Sequence, residues 1–214
     1  MVDVDVTGET LTLLPERAVY WMRARTLFFA DIHLGKAATL QASGIPIPGG
    51  NLSADLERLS RLLKTTQACE LIILGDLIHA AKGRDAATLN AFSAWRAAHP
   101  ELAITLVRGN HDRSAGDPPA DWNIRTLNPP VEQPPFVLSH EPFDPVSGYA
   151  LAGHLHPAAL LTGSGRQTVR LPCFWFGARC GVLPAFGGFT GTSSIQPRAG
   201  DRVFVITEKA VVRV

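Results

Sequence analysis

Cysteine is scarce in this chain: Cys69, Cys173 and Cys180 are an odd number with no close CxxC pair, so neither a disulfide framework nor a structural zinc knot is signalled. No apolar run approaches the length a bilayer requires. The N-terminal MVDVDVTGE carries acids where a secretion signal needs a basic region, and the expectation is a cytoplasmic protein with no membrane partner. Lysine and arginine form no run; they are scattered, with arginines from Arg17 to Arg213, and the net charge is +1 with a pI near 7.8. A global field therefore argues neither for nor against a polyanion, and any nucleic-acid site must be local. Internal repeats, low-complexity tracts and an evident linker are also missing, which leaves one domain over residues 1–214 as the expectation. Apolar residues are plentiful, 46% of 214, enough to bury a substantial core.

Val2, Val4 and Val6 alternate with polar residues, and Leu11–Leu14 and Thr26–Ala30 add short apolar runs, so the chain opens in strands. Residues 35–51 carry several Gly and Pro without a clear period and read as a long loop. Ser53 is placed to cap a helix whose Leu56, Leu59 and Leu63 share one face, with Asp55 and Glu57 near the positive end of its dipole. Leu71–Leu74 stops at Gly75 and Asp76, as a buried parallel strand does at a sheet edge. A second helix starts near Asp85 with Leu89, Phe92 and Trp95 on one stripe, and Leu102–Val107 is a strand. The first half is thus β-α-β-α-β. Strands at Phe136–Ser139, Ala150–Gly153, Val169–Phe176, Cys180–Phe186 and Val203–Ile206 follow in quick succession, and no helix is evident among them.

Polar residues follow these runs: Asp31 and His33, Asp76, Asn110 and His111, His140, then His154 and His156. Carboxyl ends of parallel strands share one edge of an α/β sheet, so groups distant in sequence can converge there. Oxygen and imidazole donors without thiolate suit manganese, iron or zinc. The seven of these other than His111 exceed what one ion needs and match two ions sharing a carboxylate, for which Asp76 is the choice. In DIH and HLH the paired side chains are one residue apart, so an extended chain points both to the same side and packs the middle residue away. His79 and His99 lack partners at a matching spacing and read as structural. Each dyad alone is a weak signal; the ordered set is a strong one.

That ordered set resembles the calcineurin-like metallophosphoesterases, over Asp31 to His156. The resemblance implies a four-layer α/β/β/α sandwich, one metal held by Asp31, His33, Asp76 and His156, and another held by Asp76, Asn110, His140 and His154. DIHLGKAATLQASGIPIPGG, LSHEP, GHLHP and LPAFGGFTG further resemble the bacterial ligase-associated DNA damage response endonucleases, with Thr192 standing where a further Gly is usual. This implies a manganese-dependent phosphodiesterase acting on single-stranded DNA, in company with a ligase and other repair enzymes.

Phosphodiester hydrolysis needs an activated water, which the pair of ions is expected to supply by lowering its pKa, and a proton donor for the departing oxygen. In RGNHD, residues 108–112, Asn110 is read as a ligand, His111 as the acid, and Asp112 as the group that orients its imidazole. A role for His111 in holding a ligand or phosphate stays open. Lys36 and Arg113 are candidates for phosphate contact. Residues 173–176 read as core strand or as a base-stacking surface. Small-molecule phosphatase or cyclic-nucleotide phosphodiesterase chemistry is the enzymatic alternative, and a scaffold without catalysis the non-enzymatic one.

Overall fold

In the computed structural model, which describes residues 1–47, 50–163, 165 and 167–214, the alternating valines open an antiparallel meander of β1 (Val2–Val6), β2 (Glu9–Leu14), β3 (Ala18–Trp21) and β4 (Thr26–Phe29). Next come α1 (Lys36–Ala42), α2 (Asn51–Thr66), β5 (Glu70–Ile73), α3 (Ala86–Ala97), β6 (Ala103–Val107), α4 (Asn110–Ala115) and β7 (Arg125–Leu127). Strands β4 to β7 run parallel, so the first sheet turns at β4 from antiparallel to parallel. Its central strands read TLFF and ELII because both of their faces are covered.

The second sheet is built from β8 (Val131–Gln133), β9 (Phe136–Leu138), β10 (Tyr149–Ala152), β11 (Pro157–Thr162), β12 (Thr168–Phe176), β13 (Cys180–Val182), β14 (Ser193–Ser194), β15 (Arg202–Ile206) and β16 (Val211–Arg213). Its order is β14-β11-β12-β13-β10-β9-β8, with β15 and β16 joined through β12. Strands β9, β10 and β13 are parallel.

The period of two sorts each strand between two cores. Phe28, Ile72 and Val107 meet Phe136, Leu151 and Phe174 between the sheets. Phe29, Ile73 and Leu106 instead meet Leu59 of α2, Phe92 and Trp95 of α3, and Trp122. The expected sandwich is present as two face-packed mixed sheets flanked by helices. Among the described residues no helix follows Trp122; the outer face of the second sheet carries a small cluster of Ala159, Cys173, Val203 and Val205, bordered by Trp175 and Ile195. Its fourth layer is therefore thin and non-helical. No helix is long and apolar enough to cross a membrane among these residues.

Local expectations fail where polar spacing misled. The span 35–51 is not one loop: it holds α1, while Pro48 and Gly49 lie outside the described residues. Helix α2 begins after Gly50, and Ser53 donates its hydroxyl to the Gly50 carbonyl rather than capping. Asp55 is buried and accepts from the Gly188 amide, so it serves a tertiary contact rather than the helix dipole. Asp85 does cap α3, accepting from Thr88 N at 2.7 Å. Strand β11, with the sequence PAALLT, lacks β-branched residues before its last position, which is why it escapes a propensity reading.

Phe28 is fully buried between the sheets and stacks on Trp21. Phe28→Ala is expected to lower the unfolding free energy by about 3–5 kcal/mol in a denaturant titration.

Candidate metal centre

Every strand that feeds the site ends at the same edge. Asp31 and His33 follow β4, Asp76 follows β5, Asn110 opens α4 after β6, His140 follows β9, and His154 and His156 follow β10. The first sheet thus supplies one half of the cluster and the second sheet the other. Hydrogen bonding continues past the strands: Asp31 N donates to Gly75 O at 3.1 Å and His33 N to Asp76 O at 2.9 Å. Glycines make the approach possible. A methyl group on Gly75 would lie 2.2 Å from His140 Nδ1, and one on Gly153 would lie 2.6 Å from Asp31 Oδ2. The space behind Gly75 is thus filled by an imidazole, and its backbone has positive φ, 82°.

The side chains fall into two groups that meet at Asp76. In one, His33 Nε2 and His156 Nε2 face each other across 3.4 Å, Asp31 Oδ1 is 3.4 Å from His156 Nε2, and Asp76 Oδ2 is 3.7 Å from His33 Nε2. In the other, His140 Nε2 lies 2.9 Å from Asn110 Oδ1, 3.0 Å from His154 Nδ1 and 3.4 Å from Asp76 Oδ1. Each oxygen of Asp76 therefore faces one group, which is the arrangement a shared carboxylate requires.

The outer ring nitrogens are fixed by backbone carbonyls. His140 Nδ1 donates to Leu74 O at 3.0 Å and His156 Nδ1 to Gly191 O at 3.1 Å, leaving the opposite nitrogens as inward lone pairs. Asp31 is fully buried, and its Oδ1 has no hydrogen-bond partner. An orphaned buried carboxylate oxygen beside two imidazoles, together with a hard oxygen and nitrogen donor set, fits divalent cations. Among the described residues, three acid or imidazole trios have ligand atoms within 4.8 Å of one another and could hold an ion: Asp31, His33 and His156; Asp31, Asp76 and His140; and His33, His79 and His111.

Electrostatics follow from burial. Desolvation, reinforced by His156, Lys36, His111 and His79, holds the His33 imidazole down to about 2, so it is a neutral donor. Burial also raises Asp76, with Asp31 adding to the rise, while His140 and His111 pull the other way. At His156 burial opposes charging, but the Asp31 carboxylate outweighs it and the imidazole is raised. Burial lowers Lys36, which stands at the start of α1, partly offset by Asp31.

Three expectations need correction. Asp112 does not orient His111: it is buried, its Oδ2 accepts from Asp76 N at 2.8 Å and Gly109 N at 2.9 Å, and its Oδ1 accepts from Leu77 N at 2.9 Å and Ile78 N at 3.2 Å. The His111 imidazole is set instead by the His79 carbonyl, 2.5 Å from its Nδ1. His79 is not isolated either: its Nδ1 is 3.2 Å from His33 Nδ1, and its ring stacks on His111 with centroids 4.7 Å apart. Its signal was position, three residues past Asp76 on the same strand end. The dyads DIH and HLH are not extended: Asp31, His33, His154 and His156 all have left-handed φ, between 46° and 69°. Ile32 is buried as expected, but Leu155 is 38% exposed. His99 does pack on Trp95, as a structural residue.

A strap holds the site from behind. Phe186 N donates to Ala30 O at 2.8 Å and Gly187 N to Asp31 O at 3.2 Å, while Gly191 O fixes His156. From α2, Asp55 accepts from Gly188 N at 3.0 Å and Arg58 donates to the Phe186 carbonyl. The LPAFGGFTG segment thus ties Asp31 to His156. Of the proposed phosphate contacts, Arg113 lines a cleft of about 310 Å³ together with Asn110 and His140.

Comparison with known proteins agrees with this geometry. Residues 24–172 match the calcineurin-like phosphoesterase family model. Among solved structures, the nuclease MPE of Pseudomonas putida is 41% identical, covers 100% of this chain and 99% of its own, and superposes with a TM-score of 0.87. More distant are the phosphoesterase Yfce of E. coli, at 17% identity and a TM-score of 0.44 over 88% of this chain and 97% of that one, and the Aquifex aeolicus protein AQ665, at 19% identity and 0.41 over 60% and 77%. Comparison with curated proteins gives no match. The chain belongs to the calcineurin-like phosphoesterase family and is a metal-dependent phosphoesterase. Within that family its likeness to the nuclease is consistent with the PdeM-like branch.

Asp112→Asn replaces one of two acceptor oxygens with a donor against backbone amides. It is expected to lower the unfolding free energy by about 2–3 kcal/mol in chemical denaturation, while the pH–rate profile keeps its midpoints, since the carboxylate does not touch the His111 ring.

Proposed function

We propose that the chain is a two-metal phosphodiesterase that cuts single-stranded DNA internally, with manganese as its metal, as one domain spanning residues 1–214. Its setting is cytoplasmic DNA repair beside a ligase and other repair enzymes, in line with the branch it resembles. The observation that carries this reading is a shared Asp76 between two donor groups with a further imidazole, His111, at their rim. The 41% identity to a nuclease over the whole chain favours a phosphodiester polymer over a small phosphoester.

Asp31, His33, Asp76 and His156 would hold one ion, and Asp76, Asn110, His140 and His154 the other. When bound, such ions supply charge neutralisation at the phosphoryl oxygens and an activated water. His111 supports the departure step. Its Nδ1 is committed to the His79 carbonyl, so Nε2, 3.9 Å from Asp76 Oδ2, is the nitrogen that carries the mobile proton. As the P–O bond breaks, the leaving alkoxide takes that proton. Burial first, then His111 and Lys36, holds the His79 imidazole down to about 4, so at neutral pH its ring is an uncharged wall against which the His111 ring is stacked. Lys36 and Arg113 would supply phosphate contacts.

Two measurements test this. A screen of single-stranded DNA, cyclic nucleotides and phosphomonoesters against several divalent metals is expected to give highest kcat/KM for DNA with manganese; preference for a cyclic nucleotide or monoester would reverse the substrate assignment. His111→Ala is expected to keep bound metal, by elemental analysis, yet lose about 10²–10⁴-fold in turnover on DNA and far less on an activated aryl diester. Equal losses on both substrates would remove the acid role.

A further inference from the structure

Two clefts adjoin the metal centre and share Pro142 and Phe143. The first, about 310 Å³, has Asn110 and His140 among its lining residues; the second, about 610 Å³, reaches Leu155, Trp175 and Arg198. Leu155 sits between His154 and His156, so the second cleft also begins at the ligand loop. We propose that this continuous groove is the track of the single-stranded DNA beyond the scissile phosphate, and that Trp175 is the platform on which a base stacks. The inference rests on the substrate reading given above.

Three observations carry it. Trp175 is half-buried on the outer face of the second sheet, and its indole N–H is satisfied by Asp201 Oδ2 at 2.8 Å, which fixes the ring while leaving it on the groove. Asp201 also accepts from Arg198 N at 2.8 Å, holding that residue beside the indole. Finally, the charge is arranged sparingly. Arg108 is engaged by Asp117 and Asn128, and Arg179 by Asp144 and the Pro145 carbonyl. Among the described residues only Arg113 and Arg198 of the groove's arginines keep a guanidinium without a partner. A nearly neutral groove with half-buried aromatic rings, Phe143 and Trp175, and two free cations suits a single strand gripped by stacking more than by phosphate pairing.

Trp21, Trp95 and Trp122 are 3%, 7% and 1% exposed, so Trp175 dominates any fluorescence change on binding. Oligothymidylate is expected to quench the intrinsic fluorescence of the metal-loaded enzyme saturably. In Trp175→Leu that quenching disappears, and kcat/KM on the oligonucleotide, taken relative to bis(p-nitrophenyl) phosphate, falls about 5- to 150-fold; Trp175→Phe recovers most of it with metal content unchanged. Arg198→Gln is expected to weaken binding and flatten the salt dependence by about 0.7 in log–log slope. If the wild type cuts single-stranded DNA and Trp175→Leu retains its KM and its quenching, the groove assignment is overturned while the substrate reading stands. If the wild type hydrolyses the aryl diester but neither binds nor cuts single-stranded DNA, both are overturned.

Discussion

Burying two carboxylates side by side is the constraint around which the rest of the molecule is arranged. Asp31 is fully buried and Asp76 is 2% exposed, and charge removed from water in this way is tolerated only when opposite charge or dense hydrogen bonding accompanies it. The protein supplies part of that environment itself. His154 N donates to Asp31 Oδ2 and His111 N to Asp76 Oδ1, and imidazoles crowd the remaining oxygens. The environment closes only with cations, and the tautomers set by the Leu74 and Gly191 carbonyls leave the lone pairs that would receive them. Stability and metal affinity are therefore two readings of one electrostatic balance.

Because the candidate ligands come from both sheets, the packing between sheets sets the distances at the site. Leu74 and Ala30 belong to the inter-sheet core, one residue or two from Asp76 and Asp31. Asp112 then acts as a rivet from α4, gathering the amides of residues 76–78, and the strap from Phe186 to Gly191 ties the second half of the chain to Asp31. A side chain that looks like a catalytic neighbour in sequence is in this case a backbone anchor, while a backbone carbonyl, invisible in sequence, performs the orienting.

Much of this was legible from residue order. Apolar runs ending in Asp, Asn or His located the strand ends whose polar side chains the structure gathers into one cluster. The pairing of Asp31 with His33 was also right in outcome, though the backbone achieves it with left-handed residues instead of an extended chain. What stayed hidden depended on through-space partners: His79 gains meaning from His33 and from the His111 ring stacked on it, and Asp112 chiefly from amides 34 to 36 positions away. Helix α1 was masked by the Gly and Pro around it, since seven residues with no fully buried side chain leave no periodic stripe to read.

Among the described residues, ten non-glycine positions adopt positive φ, and Asp31, His33, Asp76, His154 and His156 are five of them. Such backbone is disfavoured for most L-residues with a side chain, by roughly 1 kcal/mol or more each, whereas asparagine, aspartate and histidine enter it more readily. At these five sites aspartate and histidine thus combine oxygen or imidazole donor atoms with a tolerance for this backbone. A β-branched residue at any of the five would therefore meet backbone resistance as well as bringing no donor atom of the same kind.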